Sequence, residues 1–280
     1  MKAIFKNGII MLLLIVLLTG CSAGNKEASE VEDPESVTES SEEKEVEEDE
    51  NLEAADLEGH SLLIFCGAGM KNPFEKIAEQ FEEQTACEVQ VTYGNAAQIH
   101  TQINTTEEGD FFVAGSEQEV KPIEDFVLSS KDLVEHIPVL VVKSGNPKDI
   151  NEPVDLANDG VKFIMRDPEA TPIGKIANKI ISDFEIEGRV DVIANTATAP
   201  AMVTALEAGE ADVGLVWKEN IQTDKLEIVD SKEMDAYIKT IPAVMLSGTR
   251  DEEAQNAFND YLDSQDVKDI WIEFGYNIIE

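Results

Sequence analysis

The stretch Leu62-Leu63-Ile64-Phe65-Cys66-Gly67-Ala68-Gly69-Met70-Lys71-Asn72-Pro73-Phe74-Glu75 constrains this chain more than any other. A short apolar run of this kind suits a buried parallel strand. Gly67, Ala68 and Gly69 allow the backbone to turn sharply and let another group come close to it. Asn72 is placed to cap a helix, Pro73 fits its first position, and Glu75 follows the cap by three residues. Phe74, Ile77, Ala78 and Phe81 then recur at helical spacing. A strand opening into a helix in this way aims free N–H groups and the positive helix end at one spot, which favours an anion. A plain strand-to-helix turn has the same residues, so this stretch alone leaves a ligand open.

The alternation continues along the chain. Glu88–Tyr93 reads as a strand, followed by Gly94-Asn95-Ala96-Ala97 and a helix carrying Ile99 and Ile103. Gly109–Ala114 is a short strand, and a helix-to-loop region is expected up to Lys131. Further strands are expected at Ile137–Val142, Val161–Met165, Val190–Ala194, Val213–Trp217, Leu226–Val229 and Ile241–Leu246. Thr171-Pro172 caps a helix with Ile173, Ile176, Ala177, Ile180 and Ile181 on one face, and Thr196–Pro200 caps another with Met202, Val203 and Leu206. Residues 254–276 read as helices.

Four strand-to-helix turns are thus small or hydroxyl-rich: 67–72, 94–97, 171–174 and 196–200. Ligands of open parallel sheets bind beyond the carboxyl ends of the strands. Two such sheets facing each other would surround one cleft with all four helix starts. Ile137-Pro138 and Ile241-Pro242 each open an apolar strand, and the pair can carry the chain out of a first lobe and back. The expected division is residues 59–139 with 242–280 as one lobe and 140–241 as the other. A single doubly wound domain is the alternative. The fold class is α/β, two-lobed, each lobe a mostly parallel sheet flanked by helices.

Ahead of this body lie two segments of another kind. Lys2 and Lys6 precede an apolar run from Ile9 to Leu18, and Leu18-Thr19-Gly20-Cys21 follows. This is a secretory signal over residues 1–20. Its ending resembles a bacterial lipobox, which implies cleavage before Cys21, lipid on that cysteine and a chain anchored to the cell membrane from outside. Residues 21–58 read as an acidic disordered tether: Ser22 to Glu58 holds sixteen acidic residues against two lysines, −14 of the chain's −37. Like charges stretch it and hold the body off the membrane.

The body remains acidic, so nucleic acid is not an expected partner. Any anion must be held by local N–H groups against the overall field. Cys66 ends one strand and Cys87 begins the next, so parallel neighbours would keep them apart, and no disulfide joins them. Cys66 reads as a small buried thiol. His60, His100 and His136 show no metal spacing with one another or with the cysteines, and neither metal nor cofactor is expected. A hydrolase or transferase would need a nucleophile with its base, and no Gly-x-Ser-x-Gly elbow is present.

Asp167-Pro168-Glu169 followed by Pro172-x-Gly174, the run Ala208-Gly209-Glu210-Ala211-Asp212-Val213-Gly214-Leu215-Val216-Trp217, Gly109-Asp110-Phe111-Phe112 and Phe274-Gly275-Tyr276 resemble the substrate-binding component of bacterial molybdate ABC importers. The resemblance covers nearly everything from His60 to Glu280. It implies a periplasmic-binding-protein-type fold that delivers molybdate or tungstate to an ABC permease. It also implies a site of two serine hydroxyls, a tyrosine and two backbone N–H groups. Here the serine positions fall on Gly69 and Ala96, the tyrosine position on Trp217, and the backbone positions on Ile173 and Ala199. Both serine hydroxyls are missing. Asn95, Thr171, Thr198 and the Trp217 indole are the side chains able to donate instead. Either the oxyanion has other donors, or the pocket was opened for a larger organic anion or metal complex. A surface receptor is equally compatible with the lipid anchor. Asn95 at a helix start can be a cap alone, and Trp217 can be a core residue alone.

Overall fold

The first apolar run is buried on both faces, and this sets the layering of the molecule. The computed structural model describes residues 56–279; the signal, Cys21 and nearly all of the tether lie outside the described residues. The strands are β1 (Ser61–Gly67), β2 (Glu88–Gly94), β3 (Phe111–Val113), β4 (Val127–His136), β5 (Pro138–Lys143), β6 (Lys162–Arg166), β7 (Asp191–Thr196), β8 (Val213–Trp217), β9 (Leu226–Ile228), β10 (Lys239–Leu246) and β11 (Asn277–Ile278). The helices are α1 (Lys71–Thr85), α2 (Ala96–Thr106), α3 (Pro172–Asp183), α4 (Ala199–Ala208), α5 (Glu252–Tyr261) and α6 (Gln265–Glu273).

Two sheets form, in the orders β11-β4-β10-β3-β1-β2 and β7-β6-β8-β5-β9. Leu62, Ile64 and Cys66 of β1 pack on α1, α5 and α6, while Phe65 turns to the opposite face with Ile99 and Ile103 of α2. The second sheet repeats this plan. Phe163 and Met165 of β6 pack on Ile173, Ile176, Ala177 and Ile180 of α3, and Ile164 joins Met202 and Leu206 of α4. Each sheet therefore has a core on either face, as a strand buried on both sides requires.

The two-sheet α/β architecture agrees with the sequence. The strand directions are more mixed than the mostly parallel sheets expected. β1 runs parallel to β2 and β3, and β6 to β7 and β8. β10 is antiparallel to β3 and β4, β4 to β11, and β5 to β8 and β9. Parallel neighbours need a crossover, usually helical, whereas directly connected strands run antiparallel without one. The sheets change over at Ile137 and again between Ile228 and Lys239. Pro138 and Val139 pair within the second sheet and Lys239–Ile241 within the first, a few residues ahead of the expected division.

Four local expectations are corrected. Asn72 is not a cap: a 3-10 turn over Ala68–Met70 runs straight into α1, and Met70 holds the cap position without a side-chain bond. Buried Met70 anchors that turn, and Pro73 still falls in the first helical turn, where no N–H partner is required. The expected helix-to-loop region ends in β4, whose pairing with β10 supplies what its mostly exposed face lacks. Pro242 lies inside β10 rather than at its start, at a break in register with β4. Leu57, expected in the tether, is wholly buried, and its N–H donates to the Thr85 carbonyl. Cys66 and Cys87 are both free and buried, in line with the register that pairs Ser61 with Glu88 and Cys66 with Tyr93.

Candidate functional site

The parallel registers decide which turns share an edge. Gly67 pairs with Gly94 and Cys66 with Val113, so the turns at Gly69, at Asn95-Ala96 and after β3 leave one edge of the first sheet. Arg166 pairs with Thr196 and Ile164 with Gly214, so Thr171-Ile173, Thr198-Ala199 and Trp217 gather at one edge of the second.

The helix starts at these edges are selective about which N–H groups they leave open. At α3, Pro172 has no N–H, and the Gly174 N–H donates to Thr171 Oγ1 at 3.2 Å. Ile173 is the remaining first-turn donor. At α4, Pro200 has no N–H and Ala201 N–H donates to Thr198 Oγ1 at 3.3 Å, which leaves Ala199. At α2, Asn95 Oδ1 accepts from Gln98 N–H at 3.0 Å, and Ala96 and Ala97 stay open. Among the described residues these four donors have no protein partner. Three of them, Ala96, Ile173 and Ala199, were candidate site residues. The side chains divide differently. Thr171 Oγ1 also donates to the Asp167 carbonyl at 2.7 Å, so its hydroxyl is committed to the turn. Asn95 works as a cap with only its amide nitrogen spare. Thr198 accepts at the cap and keeps its hydrogen.

Gly174 makes the α3 start possible. A Cβ there would meet the Asp167 carbonyl oxygen at 2.4 Å and that of Arg166 at 2.7 Å. Only glycine lets the helix begin against the end of β6.

The two edges meet at a cavity of about 380 Å³. Gly115, Ser116, Gln118 and Glu119 line it from beyond β3, Pro172, Lys175, Ile176 and Lys179 from α3, with Trp217 and Lys239 completing it. Of the candidate residues only Trp217 lines this space. Gly69, Asn95, Ala96, Thr171, Ile173, Thr198 and Ala199 do not. Trp217 is half-buried and stacks on His136, with ring centroids 3.5 Å apart and planes inclined by 19°. His136 ends β4, so the stack joins the two sheets. Its Nε2 lies 3.1 Å from Glu219 and its Nδ1 3.4 Å from the Gly115 carbonyl. Lys218 donates to Asn277 at 2.6 Å beside it.

Sequence reasoning missed His136, Arg166 and the three lysines. Lys175 and Lys179, one helical turn apart, were visible as a basic pair in an acidic chain; Lys239 reaches the cavity, and His136 reaches Trp217, only through long-range pairing. Arg166 ends β6 on the face shared with Ile164, the α4 side. Its Nε is sealed from solvent and has no hydrogen-bond partner among the described residues, and burial lowers its pKa. His100 packs: Nε2 donates to the Glu119 carbonyl at 2.6 Å, and the ring meets Phe112 edge-on.

A second cavity of about 260 Å³ lies at the opposite ends of β1 and β2, among Ser61, Glu88, Glu108, Asp110 and Arg250. Its charged groups Asp110, Glu108 and Arg250 are already engaged. Asp110 accepts from Leu63 N–H at 2.6 Å and from Thr249, and Arg250 pairs with Glu108. Its carboxylates, Glu88, Glu108 and Asp110, outnumber its one cation, Arg250, which Glu108 already pairs. Among the described residues no cluster of His, Cys, Asp and Glu could hold a metal, and no helix is long and apolar enough to cross a membrane.

Two α/β sheets meeting at a cavity beyond their strand ends define a ligand-binding protein of the two-lobed kind. The chain belongs to the bacterial extracellular solute-binding protein family, whose profile matches residues 62–277. It is 30% identical over 227 residues to a Haemophilus influenzae protein named as a binding protein, covering 78% of this chain and 89% of that one. It is 22% identical over 233 residues to the molybdate-binding protein ModA of Escherichia coli, with the same coverage. Among solved structures it resembles the substrate-binding domain assigned to a molybdenum ABC transporter of Clostridium difficile, at TM-score 0.67 and 22% identity over 79% of this chain and 99% of that one. A ferric binding protein of Campylobacter jejuni shares the fold at TM-score 0.63 and 15% identity over 77% of this chain and 86% of that one, so the fold does not fix the ligand. The family is extracytoplasmic.

Proposed function

We propose that this chain is the solute-binding component of an ABC importer, anchored to the outer face of the cell membrane by lipid on Cys21. It captures a molybdate- or tungstate-like oxyanion between the sheets and hands it to a membrane permease. The two lobes hinge at Ile137 and between Ile228 and Lys239, where the chain crosses. The observation that carries the reading is the set of open N–H groups at Ala96, Ala97, Ile173 and Ala199, around two edges that share a cavity. Oriented helix-start donors bind anions without needing basic residues, which suits a chain of net charge −37. Arg166, Thr198, Asn95 and Trp217 supply side-chain donors to the same site.

A second reading, a larger organic anion or metal complex, is favoured by Gly69 and Ala96, which lack hydroxyls. Calorimetry on wild type and on Gly69→Ser with Ala96→Ser separates the two. A Cβ at Gly69 meets nothing within 4 Å, so the serine fits. For an oxyanion site, the double variant binds molybdate as tightly as wild type or more tightly. For an enlarged site, wild type ignores molybdate and the variant gains affinity for it. A wild type whose melting temperature no anion raises would remove the importer reading.

A further inference from the structure

We propose that the cavity lined by Lys175, Lys179 and Lys239 is a subsite for a second negative group, so that the solute is an organic anion bearing two separated charges. This rests on the reading of the cleft as the solute site and takes the second of its two ligand readings, the larger organic anion. The chain has 58 acidic and 21 basic residues. The cavity inverts that balance, with three lysines against a single carboxylate, Glu119. The Glu119 carboxylate is already engaged, accepting the Gly115 N–H at 2.9 Å.

Two of these lysines, Lys175 and Lys239, are not explained by the fold. Lys179 has Asp183 at 2.8 Å and lies 5.9 Å from the Tyr237 ring centre. Lys175 and Lys239 have no carboxylate within ion-pair distance among the described residues, although carboxylates dominate the sequence. Lys175 and Lys179 are like charges one turn apart on α3, which disfavours the helix slightly unless an anion lies over them. Lys239 reaches the same space from the start of the strand that follows the second crossing, so the charges converge from two sheets.

Size points the same way. A tetrahedral oxyanion fills the space of a few waters, each about 30 Å³. The cavity offers about 380 Å³ without counting the turns that carry the open N–H groups. Ammonium groups on flexible stems suit a carboxylate or phosphate of variable placement better than one fixed geometry. Trp217 and Ile176 add an apolar wall for the carbon skeleton between the two charges.

Calorimetry with phosphoglycolate, inorganic phosphate and molybdate as probes tests this, using wild type, Lys175→Gln with Lys239→Gln, and the exposed control Lys143→Gln. Phosphoglycolate should bind wild type at least about tenfold more tightly than inorganic phosphate. The double variant should lose about a hundredfold in phosphoglycolate affinity, leave inorganic phosphate unchanged, and differ from the control. Equal phosphoglycolate affinity in wild type and double variant overturns the proposal. So does phosphoglycolate binding no tighter than phosphate. If molybdate alone binds, the second subsite falls and the oxyanion reading stands; if none of the three binds, both fall.

Discussion

Arg166 has no ion pair among the described residues, in a chain crowded with carboxylates, and its Nε is sealed from solvent. A guanidinium nitrogen sealed from water without an acceptor carries a desolvation cost that folding alone does not offset. Its place at the end of β6, on the α4 side, puts it where the proposed oxyanion would sit. Arg166→Gln should weaken anion binding about ten- to a hundredfold while leaving the melting temperature unchanged or higher. A variant that binds normally but unfolds earlier would make Arg166 a structural residue. His60 shows the opposite economy. Its Nδ1 lies 3.0 Å from both oxygens of Asp251, the residue that caps α5, and that bond raises the imidazole pKa above 6.5. Burial opposes ionisation of Asp251, but His60 and the Ala254 and Ser61 N–H groups hold its pKa below the usual range. A raised histidine stabilises the fold below pH about 6.5 and loses that contribution as pH rises through its folded value. The lowered Asp251 does the reverse in acid. Melting curves across the neutral range should fall from this source in wild type and flatten in His60→Gln; parallel curves would dismiss the pair.

Elements differ in how much of their stability is local, and that decides what could be read. β1 and β8 were legible from their apolar runs, and α2, α3 and α4 from apolar spacing behind an asparagine or threonine cap, with a proline just after the cap in α3 and α4. β4 was not. Val127–His136 has few buried side chains, and it is a strand only because β10 and β11 pair with it from far along the sequence. The same divide runs through the site. The open amides at Ile173 and Ala199 could be anticipated by resemblance, and the caps explain them. The His136–Trp217 stack and Lys239 could not, since they depend on how two sheets meet. Gly174 offers a test at this scale. Adding a methyl group there forces the α3 start off the end of β6, at a cost of about 1–3 kcal/mol, and swings the Ile173 amide away. Gly174→Ala should therefore lose both stability and affinity. Gly69→Ala, with open space around it, should change stability by no more than about 0.5 kcal/mol. Denaturant titrations of the two variants make the comparison, and equal losses would show that the clash at Gly174 relaxes freely.

At the scale of the whole molecule, charge and chain order take over. A net charge of −37 repels an approaching anion over the range that salt leaves unscreened. Association of the dianion should speed up as ionic strength rises, the reverse of a steered encounter; stopped-flow tryptophan fluorescence can follow it through Trp217, because Trp271 is sealed in the core. A rate that falls with salt would mean the lysine-lined cavity projects its field beyond the surface. Chain order has a different consequence. β10 lies between β4 and β3, and α5 and α6 provide Phe258, Ile270 and Trp271 to the face of β1. The first sheet thus waits for segments far along the sequence before it can close. Until Lys239–Leu246 emerges from the ribosome, β3 and β4 have no strand to join them. A chain so ordered is slow to become compact during synthesis, and stays threadable through a translocation channel until β10 has been made.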